Sequence, residues 1–140
     1  MFDFFKSKKS NPNETVLGNL TVNQKMSVTN LLYLIARSDG GFNKKELAYL
    51  NTCYLGCSLE KCASYLNSNG HSEMFCDLNQ LTSSQKDYIL ITAFELIYCD
   101  GKANETELNS LIGAFEKLGY TEDSIADVME KSILLRKKFL

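Results

Sequence analysis

The stretch DGGFNKKEL at residues 39–47 returns as DGKANETEL at residues 100–108. Both copies fit the pattern D-G-x-x-N-x-x-E-L, and each follows an apolar run. A glycine just past an apolar helical run commonly takes the left-handed conformation that ends a helix. An asparagine followed three residues later by a glutamate is close to a capping box, which opens a helix. Each copy is therefore predicted to end one helix and begin the next. The predicted turn and cap residues are Gly40, Asn43, Gly101 and Asn104.

Caps do not account for the aspartates Asp39 and Asp100, because an acid at a helix C-terminus faces the negative end of the helix dipole. One interpretation is that each side chain bonds backbone amides of its turn. The other is a divalent cation such as calcium, bound together with Glu46 and Glu107, which match the last ligand of a calcium loop. The positions of the first two loop ligands hold aliphatic, arginine and tyrosine side chains, so each copy is at most half a site. The candidate metal ligands are Asp39, Glu46, Asp100 and Glu107, and both interpretations stay open.

A second pair of matching stretches extends the repeat. LGCS at residues 55–58 corresponds to LGYT at residues 118–121. In each, glycine is predicted to end a helix and Ser or Thr to cap the next one. The repeating unit is then helix, D-G turn, helix, L-G-x-[ST] turn, helix. We predict an internal duplication, with repeat 1 at about 21–70 and repeat 2 at about 84–138.

Length and composition favour one all-α domain. The chain has 140 residues, 44% of them hydrophobic, with a single proline, and it lacks the alternating β-branched runs of strands. We predict a bundle of about seven helices over residues 20–140. An N-terminal aromatic and basic segment and a linker precede it at residues 1–19. The longest apolar run, residues 88–99, is too short to span a bilayer. No signal peptide is evident, so the expected compartment is the cytoplasm.

The predicted helices can be given approximate bounds. They cover residues 21–38, 43–55, 59–70, 72–81, 85–99, 104–118 and 121–138. Thr21 begins a capping box, and Ser83 and Ser84 are expected to cap the fifth helix. The fifth helix is apolar nearly all round, which predicts the most buried position. Glu95 within it is either buried with a partner or, as is commoner, placed on an exposed strip.

Five cysteines and one histidine raise the question of a zinc site. A ligand set can be imagined from Cys53, Cys57, Cys62, His71 and Cys76. The chain has no C-x-x-C pair, however, and the spacing suits no familiar zinc module. Small buried thiols are the preferred interpretation.

Charge is distributed unevenly along the chain. The net charge of −2 does not indicate a nucleic-acid binder. Residues 1–70 carry eight Lys or Arg against five acids, whereas residues 71–140 carry seven against twelve. The acidic half could attract cations or a basic partner, or it could be an ordinary solvated surface. Residues 1–9 combine phenylalanines with lysines, which suits contact with an anionic membrane surface or packing on the domain.

The sequence does not favour an enzyme. A metal-dependent hydrolase needs several carboxylates and usually histidines that converge on one pocket. This chain has one histidine, no nucleophile motif and no glycine-rich phosphate loop. We therefore expect a non-enzymatic protein.

The duplicated motif resembles the tellurite-resistance TerB-like family. The first copy, ARSDG at residues 36–40 with Glu46, carries the likeness, whereas the second departs from it by Ile-Tyr-Cys at residues 97–99. The resemblance covers about residues 20–138 and implies an all-α fold of about seven helices with pseudo-two-fold organisation. Members are soluble bacterial proteins or modules linked to tellurite and general stress resistance. A related domain is fused to membrane-anchored J-domain co-chaperones.

The resemblance also bears on ligands and partners. It implies a divalent-cation site at the paired acids, Asp39, Glu46, Asp100 and Glu107, and no settled enzymatic activity. We expect a cytoplasmic module of a bacterial stress-response system that binds a cation and docks on other proteins. The alternative is a purely structural protein-interaction domain without metal, associated with a membrane surface through its N-terminus.

Overall fold

All regular structure in the described part of the chain is helical. The computed structural model describes residues 20–38, 58–98 and 105–139, with side chains as far as residue 131. Its helices are α1 Val22–Ala36, α2 Leu59–Asn79, α3 Ser83–Ile97, α4 Glu105–Glu116 and α5 Glu122–Phe139. The predicted all-α class is confirmed for these ranges. The second predicted helix and both D-G turns lie outside them, so the count of seven helices and the internal duplication stay predictions.

Side-chain capping boxes begin α1 and α3. Thr21 forms the predicted capping box of α1, in which Gln24 N donates to Thr21 Oγ1 at 3.1 Å and Thr21 N donates to Gln24 Oε1 at 2.9 Å. Helix α3 starts with the same arrangement between Thr82 and Gln85. The prediction that Ser83 and Ser84 cap this helix is therefore wrong. Thr82 is favoured because it stands three residues before a glutamine, which lets the two side chains satisfy two orphan amides reciprocally.

Helix α2 consists of two helical halves that meet at Gly70. Gly70 has φ 83° and ψ 170°, which no helical residue adopts, and a positive φ strains residues that carry a Cβ. The predicted break at this glycine is confirmed. The two predicted helices, 59–70 and 72–81, follow one another without an intervening loop, and Ser58 caps the first half by accepting a bond from Lys61 N.

The turn between α4 and α5 is a Schellman motif. Gly119, at φ 95°, donates from its N–H to the Glu116 carbonyl, and Tyr120 N donates to the Phe115 carbonyl at 3.0 Å. The hydrophobic contact that accompanies this motif is present, since the Phe115 and Tyr120 rings meet edge to face at 5.5 Å. Thr121 then caps α5 by accepting a bond from Ser124 N. The predicted roles of Gly119 and Thr121 are confirmed.

Helix α3 lies at the centre of the described helices and packs against α1, α4 and α5. Nine of its fifteen residues are buried, as its apolar sequence predicted. Glu95 is among them, at 6% exposure. The preferred expectation of an exposed strip is wrong here, because α3 has helices against several faces and no broad solvent-facing strip remains.

A buried polar cluster joins α1 to both halves of α2. Asp77, 7% exposed, accepts hydrogen bonds at Oδ2 from Ser27 Oγ at 2.8 Å and from Tyr65 OH at 2.7 Å. Asn30 adds a bond from Nδ2 to the Cys62 carbonyl at 2.9 Å. The bond to Asp77 is the main cause that raises the pKa of Tyr65 to about 12, because the carboxylate favours the neutral phenol that donates to it. We refer to Ser27, Tyr65 and Asp77 as the Asp77 cluster.

Candidate functional site

An apolar groove lies between the described helices α3, α4 and α5, with a volume of about 510 Å³. We call it the α3–α5 groove. This volume lies within the range of roughly 300–1,000 Å³ that is typical of ligand sites. The groove is lined by Phe94, Tyr98, Leu108, Ile112, Glu122, Ile125, Ala126, Met129 and Glu130.

The groove follows from helical spacing on each contributing helix. Leu108 and Ile112 on α4 are four residues apart, as are Ile125 and Met129 on α5, so each pair lies on one face of its helix. Ile125 is buried, whereas Leu108, Ile112 and Met129 are half-buried. The two helices thus present apolar side chains to one another without covering them.

Aromatic side chains of α3 and the turn after it form one end of the groove. Phe94 is 5% exposed, and its ring centroid lies 4.6 Å from that of the half-buried Tyr98, at an interplanar angle of 56°. Tilted aromatic pairs at this separation are favourable. The two packed rings therefore form an aromatic wall of the groove.

Hydrogen bonds hold the α4–α5 turn against the start of α3. Tyr120 OH donates to Asp87 Oδ1 at 2.5 Å. Lys86 Nζ lies 3.5 Å from the Leu118 carbonyl, at the C-terminal end of α4, where a cation is favoured. Burial, together with the bond to Asp87, raises the pKa of the Tyr120 phenol well above its ordinary value. The helices that form the groove are thus positioned by contacts outside it.

Acidic side chains mark the α5 edge of the groove. Glu122 and Glu130 are exposed members of its lining. They stand eight residues apart on one helix, which is about 12 Å along its axis at 1.5 Å per residue. Residues 105–131 as a whole carry seven acidic side chains against two lysines. A positive ligand is therefore favoured at this surface.

Of the residues predicted to bind a cation, the described ranges contain Glu107 alone. Glu107 lies in the first turn of α4 and is 5% exposed. The other candidate ligands and the turn residues lie outside the described residues: Asp39, Gly40, Asn43, Glu46, Asp100, Gly101 and Asn104. The cation site at the two D-G turns therefore stays a hypothesis.

The imagined zinc set is also only partly within the described ranges. Cys62 is 1% exposed, in agreement with the preference for buried thiols, whereas Cys76 is exposed, contrary to it. His71 is exposed at the start of the second half of α2. Within residues 20–38, 58–98 and 105–131, no three His, Cys, Asp or Glu side chains lie close enough to hold a metal ion.

Comparisons of the chain with protein-family models, with curated proteins and with solved structures found no match. The resemblance to the TerB-like family accordingly rests on the quoted motifs. None of the described helices combines the length and apolar content that crossing a bilayer requires.

Sequence reasoning missed the α3–α5 groove, although part of the signal was present. The apolar pairs at i and i+4 on α4 and α5 are legible in the sequence, and so are the acids Glu122 and Glu130. Such a stripe is ordinarily a core-facing stripe. Only the packing of three helices shows that these stripes leave a groove open between them.

Proposed function

We propose that this chain is a non-enzymatic helical module that docks on a partner protein through the α3–α5 groove. The observation that carries the proposal is an apolar groove of about 510 Å³ edged by the exposed acids Glu122 and Glu130. The occupant we propose is a basic amphipathic helix, whose apolar face lies in the groove and whose lysines or arginines face the acidic edge.

The apolar part of the groove suits a helical occupant. Recognition of an amphipathic helix relies on anchors at helical spacing that enter a hydrophobic groove. Leu108, Ile112 and Met129 supply partly exposed apolar surface for such anchors. Met129 adds adaptability, since its unbranched thioether side chain can fit partners of varied shape.

The acidic edge of the groove favours a positively charged partner helix. Positive residues two helical turns apart on the occupant match the separation of Glu122 and Glu130 along α5. Complementary charge at the rim of an interface steers association and excludes partners of the wrong sign more than it adds affinity. An acidic or neutral amphipathic helix should therefore bind more weakly than a basic one.

The first test measures binding of a short synthetic helix of leucine and lysine to the full chain by fluorescence anisotropy, with a leucine–glutamate helix of the same pattern as the comparison. Ile112→Asp places a charge in the groove and should weaken binding by roughly 30-fold, the loss expected for an anchor position. Reversing both rim charges, Glu122→Lys with Glu130→Lys, should weaken it by about tenfold at low salt.

Glu116→Lys is the matched control for the charge reversals. Glu116 is exposed on α4 and does not line the groove, so its replacement should change the dissociation constant less than about twofold. Equal affinity for the two synthetic helices, or unchanged binding by Ile112→Asp, would contradict the proposal.

A peptide of residues 1–9, which carries three phenylalanines and three lysines, is added as a competitor. Strong competition by it would make this chain's own N-terminus the occupant.

The cation hypothesis is the second candidate, favoured by the burial of Glu107, the glutamate of the second D-G-x-x-N-x-x-E-L motif. A thermal melt of EDTA-treated protein with calcium, magnesium, manganese or zinc tests it. A cation at 100 times its dissociation constant should add about 2.7 kcal/mol to the free energy of unfolding. The shift should saturate and should vanish in Asp39→Asn plus Asp100→Asn. A flat response to millimolar metal would leave the D-G motifs as turns.

The cellular process and compartment are proposed from the sequence alone. We propose a cytoplasmic module of a bacterial stress-response system, on the strength of the TerB-like resemblance of ARSDG at residues 36–40 and its second copy. The alternative, a purely structural interaction domain, predicts no cation response and is compatible with docking at the α3–α5 groove.

A further inference from the structure

A second cavity, of about 340 Å³, lies between α1, the second half of α2 and α4, and is separate from the α3–α5 groove. We call it the α1–α4 cavity. Its apolar surface includes Leu31, Ile35 and Met74, each 1% exposed overall. Phe75 is half-buried at its edge. Leu34 and Ala114 also line it and are half-buried, so the apolar surface that solvent reaches belongs to Leu34, Phe75 and Ala114.

Gly113 keeps one wall of this cavity open. It lies inside α4, where glycine is less favourable to a helix than alanine. Its φ is not in the left-handed region, and a Cβ built on it would meet nothing within 4 Å. Neither a turn nor a close contact therefore requires glycine here. Because Gly113 has no side chain, it leaves the adjoining part of the α1–α4 cavity unfilled.

Lys117 is the one formally charged residue in the cavity's described lining, in contrast to the acidic edge of the α3–α5 groove. Lys117 and His71, both exposed, belong to its lining, and Ser110 adds a hydroxyl. Lys117 Nζ lies 5.0 Å from the centroid of the Phe75 ring, which places the ammonium at the cavity edge. None of the described residues that line the cavity is acidic.

We propose that the α1–α4 cavity binds a small lipophilic carboxylate, of the class of a medium-chain fatty acid. The aliphatic chain lies against the half-buried Leu34, Phe75 and Ala114, and the carboxylate accepts a hydrogen bond from Lys117. Ligand sites of this kind pair a mostly apolar lining with a few polar groups that fix orientation. The inference is independent of the proposed docking function, because the two sites share no lining residue.

Isothermal titration calorimetry of the full chain with decanoate tests the proposal, with decanol as the uncharged comparison. Decanoate should bind saturably, and decanol about fivefold more weakly, the ratio expected for one net hydrogen bond to an exposed charge. Lys117→Gln should weaken decanoate binding by the same factor of about five and leave decanol unchanged. Lys131→Gln, at an exposed lysine that lines neither site, should have no effect.

Gly113→Leu should abolish decanoate binding, because its side chain enters the cavity. Asn109→Leu, at an exposed position of the same helix that lines neither site, is the control and should bind as the natural chain does. Thermal melts of both variants verify folding, and Lys117→Gln tests the same cavity without altering its packing. No saturable heat with decanoate, full binding by Gly113→Leu, or equal affinity for decanol would each overturn the proposal.

Discussion

Phe115→Ala is expected to lower the free energy of unfolding by about 3–5 kcal/mol, the range seen when a fully buried aromatic side chain is truncated. Phe115 is 0% exposed in the core. It also closes the Schellman motif through its contact with the Tyr120 ring at 5.5 Å. The variant should therefore lose both core packing and the geometry of the α4–α5 turn. Urea denaturation followed by circular dichroism measures the effect.

A matched variant separates this effect from the general loss of a phenyl ring. Phe75→Ala removes the same atoms from a half-buried position and should cost less than half as much. Because typical domains have only about 5–15 kcal/mol of stability, Phe115→Ala is expected to leave a measurable population of unfolded chain at room temperature. Phe115→Leu, which keeps most of the volume, then serves as the measurable variant. Equal losses for Phe115→Ala and Phe75→Ala would contradict the assigned core.

Asp77→Ala is expected to lower the free energy of unfolding by about 2–4 kcal/mol, because a buried acceptor of two hydrogen bonds is lost. The bonds come from Ser27, which is 0% exposed, and from Tyr65. The substitution leaves the buried Ser27 hydroxyl without this acceptor. Chemical denaturation at neutral pH measures the loss. Glu73→Ala, at an exposed acid of the same half-helix, is the control and should change stability by less than about 0.5 kcal/mol.

The pH dependence of stability gives the same prediction a second readout. The pKa of Tyr65 is raised from 10.0 to about 12 in the folded chain. A raised pKa means that the stabilisation is complete below the unfolded value of 10.0 and is lost as pH rises towards about 12. Asp77→Ala should remove this part of the alkaline decline, since its main cause is gone. An alkaline profile parallel to that of the natural chain would show that the Asp77 cluster does not hold the Tyr65 proton.

Local features of the fold were predictable because their causes lie within a few residues of one another. The capping box at Thr21, the break at Gly70 and the helix end at Gly119 each depend on φ or on a bond that spans three residues. Thr82 shows the limit of such reasoning. Thr82, Ser83 and Ser84 all carry hydroxyls that can cap a helix. Thr82 is the cap because Gln85 stands three residues after it.

Features that depend on distant parts of the chain were not predictable in the same way. Ser27 and Asp77 are 50 residues apart, and nothing in either local sequence pairs them. The sequence favours an exposed strip for Glu95, but its burial is decided by how many helices pack around α3. The α3–α5 groove is likewise a property of three helices together, although its apolar pairs and acids can each be read from the sequence.

The measurement that tests the docking proposal most directly is a methyl NMR spectrum of the full chain as the leucine–lysine helix is added. The methyl groups of Ile112, Ile125 and Met129 report on the α3–α5 groove, and those of Ile35 and Met74 report on the α1–α4 cavity. We expect saturable shifts of the Ile112, Ile125 and Met129 signals, with those of Ile35 and Met74 unchanged. Shifts centred on Ile35 and Met74, or no saturable shift at Ile112 and Met129, would contradict it.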